Sequence, residues 1–319
     1  MDIEVVSRLR GDKLNSRNAL LRSADLFPDE AVEQTVLVWD DGKLIATASR
    51  QDNVLKCIAV DSRHQGEGLT ATVLTALRKE AFEEGYCHLF LYTKPKNRAQ
   101  FSSLFFYPVA ETDDVLLMED KPNGIHSFLG ALPTTAPCDN TGAIVMNCDP
   151  FTLGHRHLIE TASKQCERLY VFVLSEDKGR FSAEQRLRMV TDGTAHLDNV
   201  TVLPTGPYLI SAATFPTYFL KENAVVPEVQ CRLDIAVFSE YYLPHFGITK
   251  RFVGEEPFCP VTRQYNAALK ALLPIPLIEI PRFEIDGTPV SASAVRRFLD
   301  EGDIDAAATL VPTTTAAFF

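Results

Sequence analysis

What this sequence lacks most is positive charge. Its 31 Lys and Arg face 42 Asp and Glu, a net charge of -11. A protein that grips a phosphate backbone needs a basic face, so this balance argues against a large nucleic-acid footprint. It leaves room for a local basic pocket around a single nucleotide. Cysteine is sparse as well: seven residues, an odd number, widely scattered and without a C-x-x-C pair. A disulfide scaffold or a structural zinc site would need tighter grouping, so reduced thiols and a cytoplasmic location are expected. No cluster of metal ligands is visible, and a protein-held metal is not expected. The opening MDIEVVSRLRGDK carries acids and no apolar core, unlike a signal peptide. No apolar run reaches the length of a membrane span.

What is present suits a soluble globular protein of two domains: 319 residues, 46% hydrophobic and 23% charged. The stretch KPNGIHSFLGALPTTAPCDNTG, rich in Pro, Gly, Thr and Asn, reads as a connection. The expected organisation is a domain over 1–120, a linker over 121–141 and a second domain over 142–319. Within the linker, Ile125 to Leu132 holds apolar residues able to dock on either side.

The first part predicts strands at EQTVLVWD, KLIATASRQ and VLKCIAVD, with an Asp-Asp-Gly turn at 40–42 between the first two. A helix is expected from Leu69 to Glu84, with apolar residues at Val73, Leu74, Leu77 and Ala81 and a Gly85 cap. HLFLYTK and VLLMED follow as strands, with a short helix near Arg98–Phe105 between them. This is an α+β layer. Residues 1–30 give no clear pattern.

After the connection, buried strands and helices alternate. GAIVMN, LYVFVLS, VTVLP, LDIAVF, RFVG and LIEIPR read as strands, and a helix is expected from His155 to Cys166. Such βαβ alternation implies a parallel sheet covered on both faces.

The informative segment is MNCDPFTLGHRHLIE, at the carboxyl end of the first parallel strand and the opening of a helix. Ligands of open α/β sheets bind there, and a helix N-terminus offers free N–H groups to a phosphate. Gly154 permits close backbone approach, Thr152 offers a hydroxyl, and His155 can donate to an α-phosphate oxygen. An ordinary helix cap or a surface histidine is the plainer reading of the same letters. Far along the chain, Val290-Ser291-Ala292-Ser293-Ala294-Val295-Arg296 opens another helix after the turn Asp286-Gly287. There serines and free N–H groups suit β- and γ-phosphates, and Arg296 can neutralise them.

Thr152-Leu153-Gly154-His155, with Asp149-Pro150 upstream, resembles the first motif of the nucleotidylyltransferase superfamily, T/H-x-G-H. The 290–296 segment resembles its second, I-S-x-T/S-x-x-R. The resemblance implies an ATP site built from Asn147, Asp149, Thr152, Gly154, His155, Gly254, Glu255, Ser291, Ser293 and Arg296. It gives catalytic roles to His155, Thr152, Lys178 and Arg296, with Mg²⁺ arriving on the nucleotide. Lys178 stands where the superfamily often places a phosphate-binding lysine, and Arg186 lies on the following helix; either can equally be a solvated charge. The run Gly254-Glu255-Glu256-Pro257, Val261-Thr262 and Tyr265-Asn266 is similar to citrate lyase ligases. So are SEDKGRFS, VSASAVRRFL and the closing LVPTTTAAFF. The family pattern has a methionine after the Tyr-Asn pair where this chain has Leu269, a volume-conserving swap.

In the first domain, VDSRHQGEGLTATVLTAL resembles the Q/R-x-x-G-x-G/A loop of GNAT acetyltransferases through Arg63, Gly66 and Gly68. The combined expectation is a GNAT-like α+β domain followed by a Rossmann-like parallel α/β nucleotidylyltransferase domain. Arg63, Gly66 and Gly68 would hold the phosphopantetheine-type arm of the acyl carrier subunit of citrate lyase. No general base stands out there: His64 and Glu67 read as solvated, and Tyr107 as core or rim. The family chemistry implied is ATP-dependent acetylation of that arm through acetyl-adenylate, with acetate as co-substrate. An adenylyltransferase acting on a phosphopantetheine- or nicotinamide-type acceptor is the alternative. An N-acetyltransferase with a nucleotide-sensing module and a non-enzymatic binding protein are more distant readings. None of the cysteines is needed as an acyl carrier, and Cys148 is expected to be a packing residue.

Overall fold

The computed structural model describes residues 1–136, 138–209, 215–220, 226–256 and 260–319, with backbone alone at 226, 227, 260 and 261. Pro257 of the ligase-like run therefore lies outside the described residues, as does the side chain of Val261. The chain separates into two compact units. One is Met1–Gly124 with Phe215–Val229, the other Ile125–Thr214 with Gln230–Phe319.

The first unit holds β1 (Asp2–Val6), α1 (Gly11–Ser23), β2 (Gln34–Asp40), β3 (Lys43–Gln51), β4 (Val54–Val60) and α2 (Leu69–Glu83). β5 (Phe90–Thr93), α3 (Arg98–Ser102), β6 (Tyr107–Glu111) and β7 (Leu116–Glu119) complete it. Its seven-stranded sheet has the order β1-β2-β3-β4-β5-β7-β6. Neighbours are antiparallel except β4 and β5, which run parallel and pair only at Val54–Phe90 and Leu55–Leu91. Beyond those pairs, Ile58, Ala59 and Val60 on β4 and Thr93 at the end of β5 border a cavity. The core forms where α2 lays Val73, Leu74, Leu77 and Ala81 against Val36, Ala46, Leu55 and Leu91 of the sheet. This is the i, i+1, i+4, i+8 stripe expected of a half-buried helix. β1 and α1 fall in the stretch whose sequence showed no clear pattern. β1 is an edge strand with Ile3 and Val5 exposed, so it carries no clean alternation.

The stretch between the two sequence halves contains a helix, α4 (Gly124–Ala131), that buries Ile125 and Leu129. The second unit continues with β8 (Thr141–Met146), α5 (Leu153–Ser163), β9 (Arg168–Val173), α6 (Ala183–Gly193), β10 (Val200–Pro204), α7 (Val226–Val237) and α8 (Leu243–Phe246). Next come β11 (Lys250–Gly254), α9 (Pro260–Leu272), β12 (Leu277–Ile280) and a hairpin of β13 (Glu284–Ile285) and β14 (Thr288–Pro289). α10 (Ala292–Glu301), α11 (Ile304–Thr309) and α12 (Thr313–Ala316) close the chain. The five-stranded sheet is wholly parallel in the order β10-β9-β8-β11-β12.

One expected strand is a helix. LDIAVF belongs to α7 and the π-helical turn Phe238–Tyr242 that extends it. Its continuous apolar run is compatible with a buried strand or a buried helix. The deciding signal is the four-residue spacing of Glu228, Arg232 and Glu240, the exposed positions on an otherwise buried segment. Among the described residues, no helix is long and apolar enough to cross a membrane.

Candidate functional site

The parallel sheet reverses its order between β8 and β11: β8 leads through α5 to β9 on one side, and β11 through α9 to β12 on the other. Loops there diverge to opposite faces and leave a crevice at the strands' carboxyl ends. A cleft of about 460 Å³ occupies that place, lined by Asn147 after β8, Gly254 and Glu255 at β11, and Ile280 and Pro281 at β12.

Two helices point their N-termini into it. Thr152 caps α5: its Oγ1 accepts the His155 N–H at 3.3 Å, while His155 Nδ1 accepts the Thr152 N–H at 3.0 Å. This reciprocal capping box fixes the imidazole. Because Nδ1 is the acceptor, the neutral ring carries its proton on Nε2. Burial, with Arg282 as a second cause, pulls the His155 pKa down to about 4, so the ring is neutral near pH 7. Ser291 caps α10, its Oγ accepting the Ala294 N–H at 3.2 Å. The two caps touch: a Cβ on Gly154 would sit 3.2 Å from the Val290 carbonyl oxygen. Segments about 140 residues apart thus share one cleft, in which Thr152, Gly154, His155 and Ser291 all take part.

The remaining predicted residues gather beside it. Asn147, Asp149, Lys178 and Arg296 line a depression of about 340 Å³ together with Glu176, Gly179 and Arg180. Asp149, preceding a cis peptide to Pro150, is nearly buried. Its carboxylate accepts the N–H groups of Arg180 at 3.1 Å and Phe181 at 3.0 Å. It also stands 3.7 Å from Arg296 Nη1, which donates to the Asp149 carbonyl. A Cβ on Gly179 would fall 2.6 Å from that carboxylate, so only glycine lets the lysine loop lie so close. Ser293 is exposed and accepts from Arg296 Nη2 at 3.3 Å; it lines neither cavity. Asn147 borders both.

Arg186 is a bracket. Fully buried, it donates to Phe181 O at 3.2 Å, Asn147 O at 2.8 Å and Asn147 Oδ1 at 2.7 Å, and also to Glu176 O. It thereby holds the 176–181 loop against the end of β8. Cys148 is buried with φ +55, and burial raises its thiol pKa. The cleft also has members to which the sequence motifs gave no role: Arg282, paired with Glu256 at 2.7 Å, and Arg251, Tyr265 and Asp234.

In the first unit, Gly66 and Gly68 adopt φ of +90 and +77 at the N-terminus of α2. They line a cavity of about 610 Å³ with His64, Gln65, Lys94, Lys96, Asn97, Tyr218 and Phe219. The splay of β4 and β5 makes one wall. Arg63 is not in the lining; it is exposed and pairs with Asp61 at 3.2 Å. His64 Nδ1 lies 3.2 Å from Glu67, and Tyr107 is part-exposed on β6.

Residues 141–319 match the citrate lyase ligase C-terminal domain, and residues 9–102 match the acetyltransferase (GNAT) family. The chain is 42% identical to the citrate (pro-3S)-lyase ligase of Klebsiella pneumoniae, over 93% of this chain and 90% of that one. It is 39% identical to the enzyme of the same name from Escherichia coli K12, over 97% and 91%. A phosphopantetheine adenylyltransferase of Corynebacterium efficiens is 32% identical over 36% of this chain and 69% of its own.

Proposed function

This chain belongs to the citrate lyase ligase family and is a ligase, and from that premise we propose that it acetylates the prosthetic-group thiol on the acyl carrier subunit of citrate lyase, using ATP and acetate. A carboxylate oxygen of acetate attacks the α-phosphorus. The α–β bridging P–O bond breaks, and pyrophosphate leaves. The thiol sulfur then attacks the acyl carbon of acetyl-adenylate, losing its proton, and AMP departs with the former carboxylate oxygen.

The observation that supports this reading is the meeting of the Thr152–His155 and Val290–Ser291 segments at one cleft, with two helix N-termini turned toward it. Such ends favour anions without an enzyme nucleophile. His155 donates from Nε2 to the α-phosphate as charge builds in the transition state. Thr152 positions the imidazole. Backbone at Gly154, Gly254 and Glu255, together with Ser291, cradles the nucleotide. Lys178 and Arg296 face the β- and γ-phosphates from the adjoining depression, where Asn147 joins the two spaces. Asp149 holds the lysine loop and Arg296 in place. Since the Asp149 carboxylate is committed to two N–H groups and Arg296, Mg²⁺ would arrive on the phosphates with its own water shell. When bound it supplies charge neutralisation for the leaving pyrophosphate.

The GNAT-like unit serves recognition. Positive-φ glycines at the start of α2 leave N–H groups free for the arm's phosphate, and the neighbouring cavity suits its pantetheine chain. Incubating the protein with ATP, Mg²⁺, acetate and deacetylated citrate lyase should leave an acetyl thioester on the carrier subunit, detectable by mass spectrometry, and free AMP. A nucleotide retained on the acceptor would instead establish the adenylyltransferase chemistry.

A further inference from the structure

We infer that Arg251 anchors the carboxylate of the acid substrate, an assignment that rests on the ligase reading above. Arg251 is on β11, opposite Ala143 of β8, and lines the same cleft as His155 and Ser291. It is 1% exposed. Among the described residues, Nη2 of its three guanidinium nitrogens has an acceptor, the Tyr265 hydroxyl at 3.0 Å, while Nε and Nη1 are buried without a partner.

Buried donors are nearly always satisfied, so three unmatched N–H bonds on one charged group call for an acceptor that is not part of the chain. Arg251 forms no contact ion pair among the described residues. Asp234 is linked to it through Tyr265, whose hydroxyl donates to Asp234 Oδ2. Burial raises the Asp234 pKa, and the Arg251 charge opposes that rise. The Phe238 ring lies 4.4 Å from the guanidinium carbon, covering one face of the plane and leaving the donors at its edge.

A planar fork of this kind matches a carboxylate better than an ammonium would. The cleft therefore carries two kinds of anion recognition: helix N-termini for phosphate and a buried arginine for carboxylate. Leu174, Cys231 and Val253 line the same cleft. Such apolar walls suit a short aliphatic acid.

The test is acetate-dependent exchange of labelled pyrophosphate into ATP, with the wild-type chain, Arg251→Lys and Arg251→Met. The KM for sodium acetate should rise about tenfold to a hundredfold in Arg251→Lys and further in Arg251→Met, the size expected for losing a charge-assisted hydrogen bond. The KM for ATP should stay within about threefold. A matched rise in the KM for ATP, or an unchanged KM for acetate, overturns the assignment and leaves the ligase reading standing. Absence of acetate-dependent exchange in the wild type ends both. A second readout avoids any folding defect of the variants. In ¹⁵N spectra of arginine Nε–H groups, acetate titrated into wild-type protein should shift one signal, the one missing from Arg251→Lys. A titration that moves no Nε–H signal overturns the assignment.

Discussion

Replacing His155 by alanine tests how the first step is stabilised. Nδ1 is committed to the Thr152 N–H at 3.0 Å, and burial holds the ring neutral, with its pKa near 4. The remaining N–H, on Nε2, is then a fixed neutral donor in a cleft lined by two helix N-termini. Removing one preorganised donor to a developing oxyanion costs about 10²- to 10³-fold in kcat, or about 2.7–4 kcal/mol of transition-state stabilisation. Half of the reciprocal cap is lost too: the Thr152 N–H loses its acceptor, while Thr152 Oγ1 still accepts the backbone N–H of residue 155. The assay is acetate-dependent pyrophosphate exchange at saturating ATP. We expect kcat to fall by about 10²–10³ with the KM for ATP changed only a few-fold, because the contact strengthens as charge develops. A variant with intact kcat and a raised KM would show that His155 binds ATP in its ground state only, refuting this reasoning.

Four further outcomes are expected. The same histidine makes the fold acid-labile: its folded pKa lies below the ordinary value of 6.5, so the unfolded chain binds the extra proton and stability falls between about pH 6.5 and 4. Urea unfolding of His155→Gln should show a smaller loss over that window than the wild type; an equal loss places the acid sensitivity elsewhere. Asp149→Ala strands two N–H groups and releases Arg296, so a destabilisation of about 2–4 kcal/mol and a raised KM for ATP are expected from unfolding and kinetics. Cys148→Ala should keep turnover within about threefold, since a buried thiol with a raised pKa is neither nucleophile nor acyl carrier; abolished turnover in a folded variant would contradict this. Gly66→Val with Gly68→Val strains two positive-φ positions, and should raise the KM for the carrier while leaving acetate-dependent exchange intact.

Much of this arrangement is legible in the residues because its motifs are local. A strand running into Thr-Leu-Gly-His and a serine cap before Arg296 each announce a helix N-terminus, and parallel-sheet topology brings such ends to one edge. The glycine turn at α2 follows in the same way, whereas the splay of β4 and β5 shows only in the structure. What stays hidden depends on long-range packing. LDIAVF reads as a strand because the solvent-facing Glu228, Arg232 and Glu240 that mark its helix lie outside those six residues. Arg251 looks like an ordinary basic residue in a strand; its isolation emerges only once α7 and α9 bring Asp234 and Tyr265 beside it. Asp149 carries the motif's signature, yet its role is to hold backbone N–H groups 31 and 32 residues away. Arg186 stands on the expected helix, and only the structure shows its donors divided between Asn147 and the loop that carries Lys178.

The central claim is tested most directly by counting AMP and pyrophosphate from ATP, Mg²⁺ and acetate, with and without deacetylated citrate lyase. Equal amounts of both, released only when the carrier is present and lost in His155→Ala, are the predicted result. Turnover that yields no free AMP, or that proceeds undiminished in His155→Ala, would contradict the account.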